Sequence, residues 1–340
     1  MKQEELEQEV KKIFERQGFD VEKSEKGLKA FKEEDSKLLQ VYSSEKHSED
    51  EILEREHKGI VFVDEGLSDL KQHMDVSIIY NEEEGEDYDL PSYELIGDIA
   101  VINELTVEED EAVDGILDNH PHVKTILLKQ GGLKGEYRVG DYRKLYGEET
   151  ETVQTEFGCD FKVDPTKAYY SERFSTERNR VASQIEEGEK VLVMFAGVGP
   201  FAVMAAENAS PEKVVAVEKN PEACKYLKEN IKLNNVEETV EAVCGDVKNV
   251  DHTEKFDRVI MPLPESADRF LSTALENIKD NGIIHYYRFT ENTEKIRQEV
   301  KQEVRRKQGL KHRVEQETKT GERGPHSKRI CLDIQVFREK

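Results

Sequence analysis

The chain has no run of about 18 apolar residues, so no membrane-spanning helix is expected. It also has few cysteines, four in all. Cys159, Cys224, Cys244 and Cys331 are scattered without a C-x-x-C pair, and they read as buried thiols of a cytoplasmic protein rather than disulfides or metal ligands. No His, Cys or carboxylate group has metal-ligand spacing, and no metal is expected. His120 and His122, on either side of Pro121, read as loop residues. The start, MKQEELEQEV, is charged and helical in pattern, unlike a signal peptide. Internal repeats and low-complexity tracts do not stand out.

Positive charge is in deficit. Against 74 Asp and Glu stand 50 Lys and Arg, a net charge of −24 over 340 residues. Hydrophobic and charged residues each make up 36%, which implies a modest core under a heavily charged surface. Phosphate contacts need Lys and Arg. Either the partner is not a nucleic acid, or the acid coats faces remote from a local basic site. A high-salt, halophilic cytoplasm favours such a coat because salt screens its self-repulsion, and on that reading folding fails at low salt.

Residues 1–80 read as a small α/β module. Leu6, Val10, Ile13 and Phe14 share a helical face that stops at Gly18, and 59–63 and 76–80 are strand-like. Residues 81–91 form an acidic linker. A β-rich middle domain follows at 92–165, with strand character near 101, a helix over 107–119, a strand over 123–128, and strands in 152–163 turning at Gly158. From 166 to 340 strands and helices alternate. Strands fall at 191–195, 213–217, 240–244, 257–261, 282–289, about 311–317 and 329–337. Helices fall at 200–208, 221–234, 266–278 and 293–308. This pattern predicts a doubly wound, mostly parallel sheet of seven strands, its last two an antiparallel edge hairpin.

The stretch Lys190–Met204 organises the second half. Val191 to Phe195 suits a buried parallel strand. Gly197, Val198 and Gly199 form a turn, and Pro200 suits the first turn of a helix. Backbone can approach a ligand closely there. The spacing is not the dinucleotide G-x-G-x-x-G. Glu218 ends the next strand, where an acid accepts ribose hydroxyls, with Asn220 just beyond. Asp246 follows the third strand, where an acid can take an adenine amino group. Pro262 and Pro264 fix a rigid loop after the fourth. All should line one crevice at the carboxyl ends of the strands. Pro262 brings no side-chain acceptor, so another base is needed. The polar, aromatic, cationic stretch 168–180 contains one: Ser175 or Thr176 would cap a helix carrying Glu177 in its first turn. Arg173 and Arg178 could bind phosphate, and Tyr169 and Tyr170 could stack on an unpaired base. Arg180, the tract 301–313 with Arg305, Arg306, Lys307, Lys311 and His312, and the loop 321–329 are further basic candidates.

Several of these runs resemble a known family. AYYSERFSTERNRV, VLVMFAGVGPFAVMAA, VVAVEKNPEACKYLKENIKLNNV, CGDV, FDRVIMPLPESADRFL and GIIHYYRF are similar to the archaeal tRNA (guanine37-N1)-methyltransferases, and PSYELIGDIAVI and GEYRVGDYRKLYG to that family's middle domain. The resemblance covers residues 91–340. It implies a Rossmann-like class I methyltransferase fold, S-adenosyl-L-methionine as methyl donor with S-adenosylhomocysteine as product, and the tRNA anticodon stem-loop as partner. Residues 1–80 would dock the tRNA elbow, and the enzyme would act as a cytoplasmic monomer. By residue, it implies Glu177 as general base, Arg138 of GEYR (with Arg143 nearby) on the guanine O6, and cofactor contacts at Phe195, Glu218, Asn220 and Asp246. The family usually has Asn-Leu-Pro where this chain has Pro262-Leu263-Pro264. The alternatives are the related wybutosine-pathway aminocarboxypropyl transfer and an inactive tRNA-binding homologue.

Overall fold

The computed structural model describes residues 20–24, 27–31, 38–42, 77–81 and 90–339, except 133, 134, 136, 138, 250–252 and 323–326. The chain divides into two compact units, Met1–Asp87 and Tyr88–Lys340, with the division inside the acidic segment 81–91.

In the first unit, β1 (Asp20–Ser24), β2 (Gly27–Phe31), β3 (Leu38–Tyr42) and β4 (Ser77–Asn81) form an antiparallel sheet in chain order. β4 falls where 76–80 reads as a strand. The helix expected around Leu6 to Phe14 and the strand expected at 59–63 lie outside the described residues.

The second unit opens with β5 (Tyr93–Ile96), β6 (Ile99–Ile102), helix α1 (Glu109–Asn119), β7 (Thr125–Lys129) and β8 (Tyr142–Tyr146). The four strands form one sheet in chain order, with α1 crossing between the parallel β6 and β7. Ala112 and Ile116 of α1 cover Ala100, Ile102 and Ile126, while Ile99, Val101 and Leu127 join the main core on the other face. Alternate residues of a strand point to opposite faces, and this sheet is apolar on both. Hairpin β9 (Thr152–Glu156) and β10 (Cys159–Val163) turns at Gly158.

The remaining elements are α2 (Ser175–Ala182), β11 (Lys190–Met194), α3 (Pro200–Asn208), β12 (Lys213–Glu218), α4 (Pro221–Leu233), β13 (Val240–Cys244), β14 (Phe256–Met261), α5 (Leu271–Asn277), β15 (Ile278–Thr290), α6 (Thr293–Arg306), β16 (Leu310–Glu322) and β17 (Lys328–Arg338). Seven strands form one sheet in the order β13-β12-β11-β14-β15-β17-β16. The pairings from β13 to β15 are parallel, and β17 pairs antiparallel with both β15 and β16. Val191 and Val193 of β11 face the core under α3 and α4, and Leu192 and Met194 face that under α5 and α6. β9 and β10 clip onto the same layer: Asn230 of α4 and Asn234, just after it, accept the amides of Lys162 and Asp160, each at 2.8 Å. On the other side, Gln154 accepts the Gly97 amide and Thr152 the Asp98 amide.

Two expectations change here. Residues 266–278 are not one helix but a 3-10 turn, Ala267–Phe270, leading into α5. The cysteines are not four thiols. Cys159 and Cys331 are free and buried, whereas Cys224 and Cys244 form a disulfide. The first turn of α4 lies over the carboxyl end of β13, bringing two Cα atoms 20 residues apart in sequence within 5.8 Å, a juxtaposition no local spacing reveals.

Candidate active site

A cavity of about 680 Å³ opens at the carboxyl ends of β11 to β14. β11 passes between β12 and β14, so the chain reverses direction across the sheet here, where open α/β sheets bind ligands. Phe195, just after β11, adopts φ 58°, a left-handed backbone rare for a bulky residue and concentrated at functional sites. Gly197 follows at φ 59°. Its amide donates to Glu218 Oε2 at 2.7 Å, and the Asn220 amide donates to Glu218 Oε1 at 2.6 Å. The Glu218 carboxylate is thus held between two loops. Burial raises its pKa, and the backbone donors only partly oppose this. Beyond β13, Asp246 pairs with Lys219 at 2.8 Å and accepts the Lys248 amide at 3.0 Å, and these contacts hold its carboxyl below the usual range. Phe270 stands edge-on to Phe195, 4.7 Å between centroids.

The other half of the cavity is walled by Tyr169, Phe174, Pro262, Pro264, Phe289 and Arg329. Behind Phe174 lies Tyr287, centroids 6.3 Å apart, and its hydroxyl donates to Glu177 Oε1 at 2.6 Å. Glu177 is buried and also takes two bonds of 2.7 Å from Arg180, through Nε and Nη2. A carboxylate offers about four lone-pair positions, so these three bonds leave one. Arg180 Nη1 in turn donates to Asp333 at 2.7 Å. Asp333 meets His285 Nδ1 at 2.7 Å, and Arg258 Nη1 lies 2.8 Å from His285 Nε2. A guanidinium can only donate, so Nε2 accepts and the ring proton sits on Nδ1. Burial and the two guanidiniums keep His285 neutral against the pull of Asp333. Burial pushes Asp333 upward, but His285 and Arg180 outweigh it and hold its carboxyl well below the usual range. Arg258 closes the chain bidentately on Glu189, at 2.7 and 2.9 Å. His285, Cys331 and Asp333 bring their ligand atoms within 4.8 Å of one another, a grouping the sequence spacing hides. The two guanidiniums beside them oppose a cation.

Residues 152–315 match the TRM5/TYW2 methyltransferase domain, and residues 76–150 match the TYW2 N-terminal domain. A tRNA (guanine(37)-N(1))-methyltransferase Trm5b of Pyrococcus abyssi is 44% identical over 202 residues, 58% of this chain and 60% of that protein. The chain therefore spans three fifths of that relative's length. A tRNA(Phe) (4-demethylwyosine(37)-C(7)) aminocarboxypropyltransferase of Methanocaldococcus jannaschii is 38% identical over 195 residues, 57% of this chain and 77% of that protein. The chain belongs to the TRM5/TYW2 family. Among solved structures, Trm5b from Pyrococcus abyssi superposes with TM-score 0.68 at 28% identity, covering 97% of this chain and 96% of that one. A complex of aTrm5 and tRNALeu gives 0.66 at 25% identity, covering 96% of each chain. M. jannaschii TYW2 in complex with AdoMet gives 0.59 at 30% identity, covering 73% of this chain and all of that one. The seven-stranded unit has the Rossmann-like fold of class I methyltransferases.

Set against this TRM5/TYW2 fold, the cavity wall includes Phe195, Gly197, Glu218, Asn220 and Asp246 on one side and Tyr169, Pro262 and Pro264 on the other. Other candidates fall elsewhere. Val198 is fully buried in the core, with its carbonyl accepting from Asn230. Gly199 shapes the turn instead of the wall: at φ 99° it is the N-cap of α3, and a Cβ there would meet Leu227 at 2.6 Å. Asn220 reaches the cavity, but its side chain caps α4 through the Glu222 amide and donates to the Lys167 carbonyl. Tyr170 is buried with its hydroxyl on Glu156, so it cannot stack on a base. Arg178 is 3% exposed and clamps Glu156 at 2.5 Å to both oxygens, so it cannot meet phosphate. Ser175 and Thr176 cap nothing, because a 3-10 turn over Glu172–Phe174 runs straight into α2 and Phe174 holds the cap position. Arg173 is exposed and pairs with Glu94 at 2.8 Å. Arg138 lies outside the described residues, although its neighbours Gly135 and Tyr137 line the cavity. Arg143 is bound bidentately to Glu109. The tract 301–313 is interleaved with acid: Arg306 pairs with Glu303, Lys307 with Glu276, Lys311 with Glu339 and Arg313 with Glu315.

The residues missed by sequence reasoning are Tyr287, Phe289 and Asp333, and Arg329, a basic candidate at the end of the loop 321–329, proves to be a cavity residue on β17. A signal exists for Asp333, which interrupts the otherwise apolar run Ile330, Cys331, Leu332, Ile334 of a buried strand, and Arg329 directly precedes that run. A charge buried that way needs a partner or a task.

Proposed function

We propose that this chain transfers the methyl group of S-adenosylmethionine to N1 of the guanosine that follows the tRNA anticodon. The observation that carries the reading is Glu177, a buried carboxylate held by Arg180 and Tyr287 behind the aromatic wall of the cavity, with one lone-pair position left. S-adenosylmethionine supplies a methyl group already activated on a sulfonium. The residues present fit it. Glu218 offers its remaining lone pairs to ribose hydroxyls, and Asp246 offers an acceptor to the adenine amino group. Gly197 leaves the approach open, the nearest atom to a Cβ there being the Tyr169 carbonyl at 3.9 Å.

Guanine N1 carries a proton and is a poor nucleophile. Glu177 takes that proton, and the charge spreads to O6, where Arg138 is the proposed donor. Orientation and proton removal are then the main tasks of the site. The base is flipped out of the anticodon loop, and Tyr169, 47% exposed, stacks on it. Arg173, whose own side chain is exposed, turns from Glu94 to a phosphate. Residues 1–80 act as a docking module for the body of the tRNA, and the enzyme works in the cytoplasm.

A second reading is aminocarboxypropyl transfer at the same tRNA position. It is favoured by the match of residues 76–150 to the TYW2 N-terminal domain and by relatives of that activity. The test incubates methyl-labelled S-adenosylmethionine with transcripts carrying guanosine or adenosine after the anticodon. Label in the guanosine transcript alone is expected. An unlabelled guanosine transcript at every salt concentration contradicts the proposal.

A further inference from the structure

The wall facing the cofactor half is aromatic and proline-rich, and Pro262 and Pro264 bring no polar side-chain atom to it. Arg329 supplies what they lack. It lies on β17 directly opposite Phe289 of β15, whose amide donates to the Pro264 carbonyl. Its guanidinium carbon stands 3.4 Å from the centroid of Phe174. Nε donates to Thr320 Oγ1 at 3.0 Å, and Nη2 donates to the Thr320 carbonyl. Nη1 makes no hydrogen bond among the described residues. Opposite Arg329 on β16 sits Gly321, where a Cβ would approach Nη2 to 2.8 Å. The glycine leaves room for the guanidinium to lie flat. Arg329 is 8% exposed and has no ion pair among the described residues.

A nearly buried guanidinium stacked on one ring, held along one edge and without a carboxylate partner is costly unless a ligand completes it. Its neighbours are suited to a flat heterocycle: Tyr169, Phe174 and Phe289 share the cavity wall with it, and Glu177 is close enough for its charge to act on it.

We propose that Arg329 is a target-base contact, donating through Nη1 to the exocyclic oxygen of a 6-oxopurine and stabilising the charge that gathers there as N1 loses its proton. This rests on the proposed transfer to guanine N1. Arg329 adds this donor to the one proposed from Arg138, and it comes from β17 because Pro262 and Pro264 carry none.

The test uses Arg329→Met, which keeps the bulk over Phe174 but removes the donors, and Arg329→Lys, which keeps the charge but not the fork. Single-turnover methylation is measured on full-length transcripts carrying guanosine or 6-thioguanosine at the target position, with cofactor and tRNA dissociation constants and melting curves in parallel. Losing a preorganised donor to an oxyanion typically costs about 10²–10³ in rate. R329M is expected to slow guanosine transfer by about 100-fold with both dissociation constants unchanged. Its loss on 6-thioguanosine is expected to be much smaller, because sulfur is a weak acceptor that gains little from the donor. R329M matching the wild type on guanosine, or losing the same factor on both substrates, overturns the proposal and leaves the proposed function standing. If R329M does not fold, R329K carries the same comparison under the same criteria. A wild-type enzyme that methylates neither transcript removes the proposed function, and this inference with it.

Discussion

The two halves of the cavity are built differently. The half proposed to hold the cofactor, here the cofactor half, is made from consecutive strand ends: Phe195 and Gly197 after β11, Glu218 at the end of β12, Asp246 after β13. Its key contacts are short loops bonding to one another, as where the Gly197 and Asn220 amides meet Glu218. The half proposed to receive the target base, here the target half, is assembled from remote segments: Tyr169 and Phe174 from before the sheet, Phe289 from β15, Arg329 from β17. What holds it is a chain of charged side chains joined through neutral His285, Glu177–Arg180–Asp333–His285–Arg258–Glu189, that crosses the sheet. A half built from local loops should tolerate separate damage. A half built on a charge chain should respond to changes far from the cavity.

The sharpest break between the halves is Glu177→Gln. It should lower single-turnover transfer by about 10²–10⁴ while calorimetry shows S-adenosylmethionine binding unchanged. Equal losses in rate and cofactor affinity would mean the halves are not separable. Next is Asp333→Asn, remote from the cavity but buried between Arg180 and His285. Breaking a buried pair costs about 3–5 kcal/mol, so a lower Tm and a reduced rate are expected, with the cofactor KM unmoved. The pH linkage has a definite sign. The folded pKa of Asp333 lies below its unfolded value, so its stabilisation is present above the unfolded pKa, about 3.9, and is lost as pH falls through the folded one.

The cofactor half has its own probes. Reducing Cys224–Cys244, or changing both to Ser, releases a loop of about 20 residues and should cost about 3 kcal/mol, read as a fall in Tm. Because Cys244 directly precedes Gly245 and Asp246 in the cavity wall, cofactor affinity should fall more than tRNA affinity. The smallest effect concerns Glu218. Its pKa is raised by burial, so its carboxylate protonates at a higher pH than an ordinary Glu. Cofactor affinity should therefore weaken on acidification while the pH is still above the usual carboxylate range. Glu218→Gln should bind less tightly by about 1.5–3 kcal/mol and lose that pH dependence. A mutant that keeps it would point to another group.

This difference in construction explains what could be read from the chain alone. The β11 run, the glycine turn and Pro200 are contiguous, and Glu218 lies 21 residues after Gly197, so local pattern suffices for the cofactor half and for the sheet. The last two strands, the hairpin at one edge of the sheet, were legible too, because no helix separates them. The target half depends on which strand neighbours which. Nothing local places Tyr287 on Glu177, 110 residues away, or Asp333 on Arg180, 153 residues away. The same blindness made Arg178 and Tyr170 resemble surface groups: their partner Glu156 comes from β9, and pairing with it buries all three. The disulfide escaped for the same reason.

The most direct measurement is the mass of the nucleoside following the anticodon after turnover with unlabelled S-adenosylmethionine, taken by nuclease digestion and mass spectrometry for the wild type and for Glu177→Gln. A gain of one methyl group on guanosine with the wild type, lost with Glu177→Gln, is the predicted result. A gain of an aminocarboxypropyl group, or methylation undiminished by Glu177→Gln, would contradict the account.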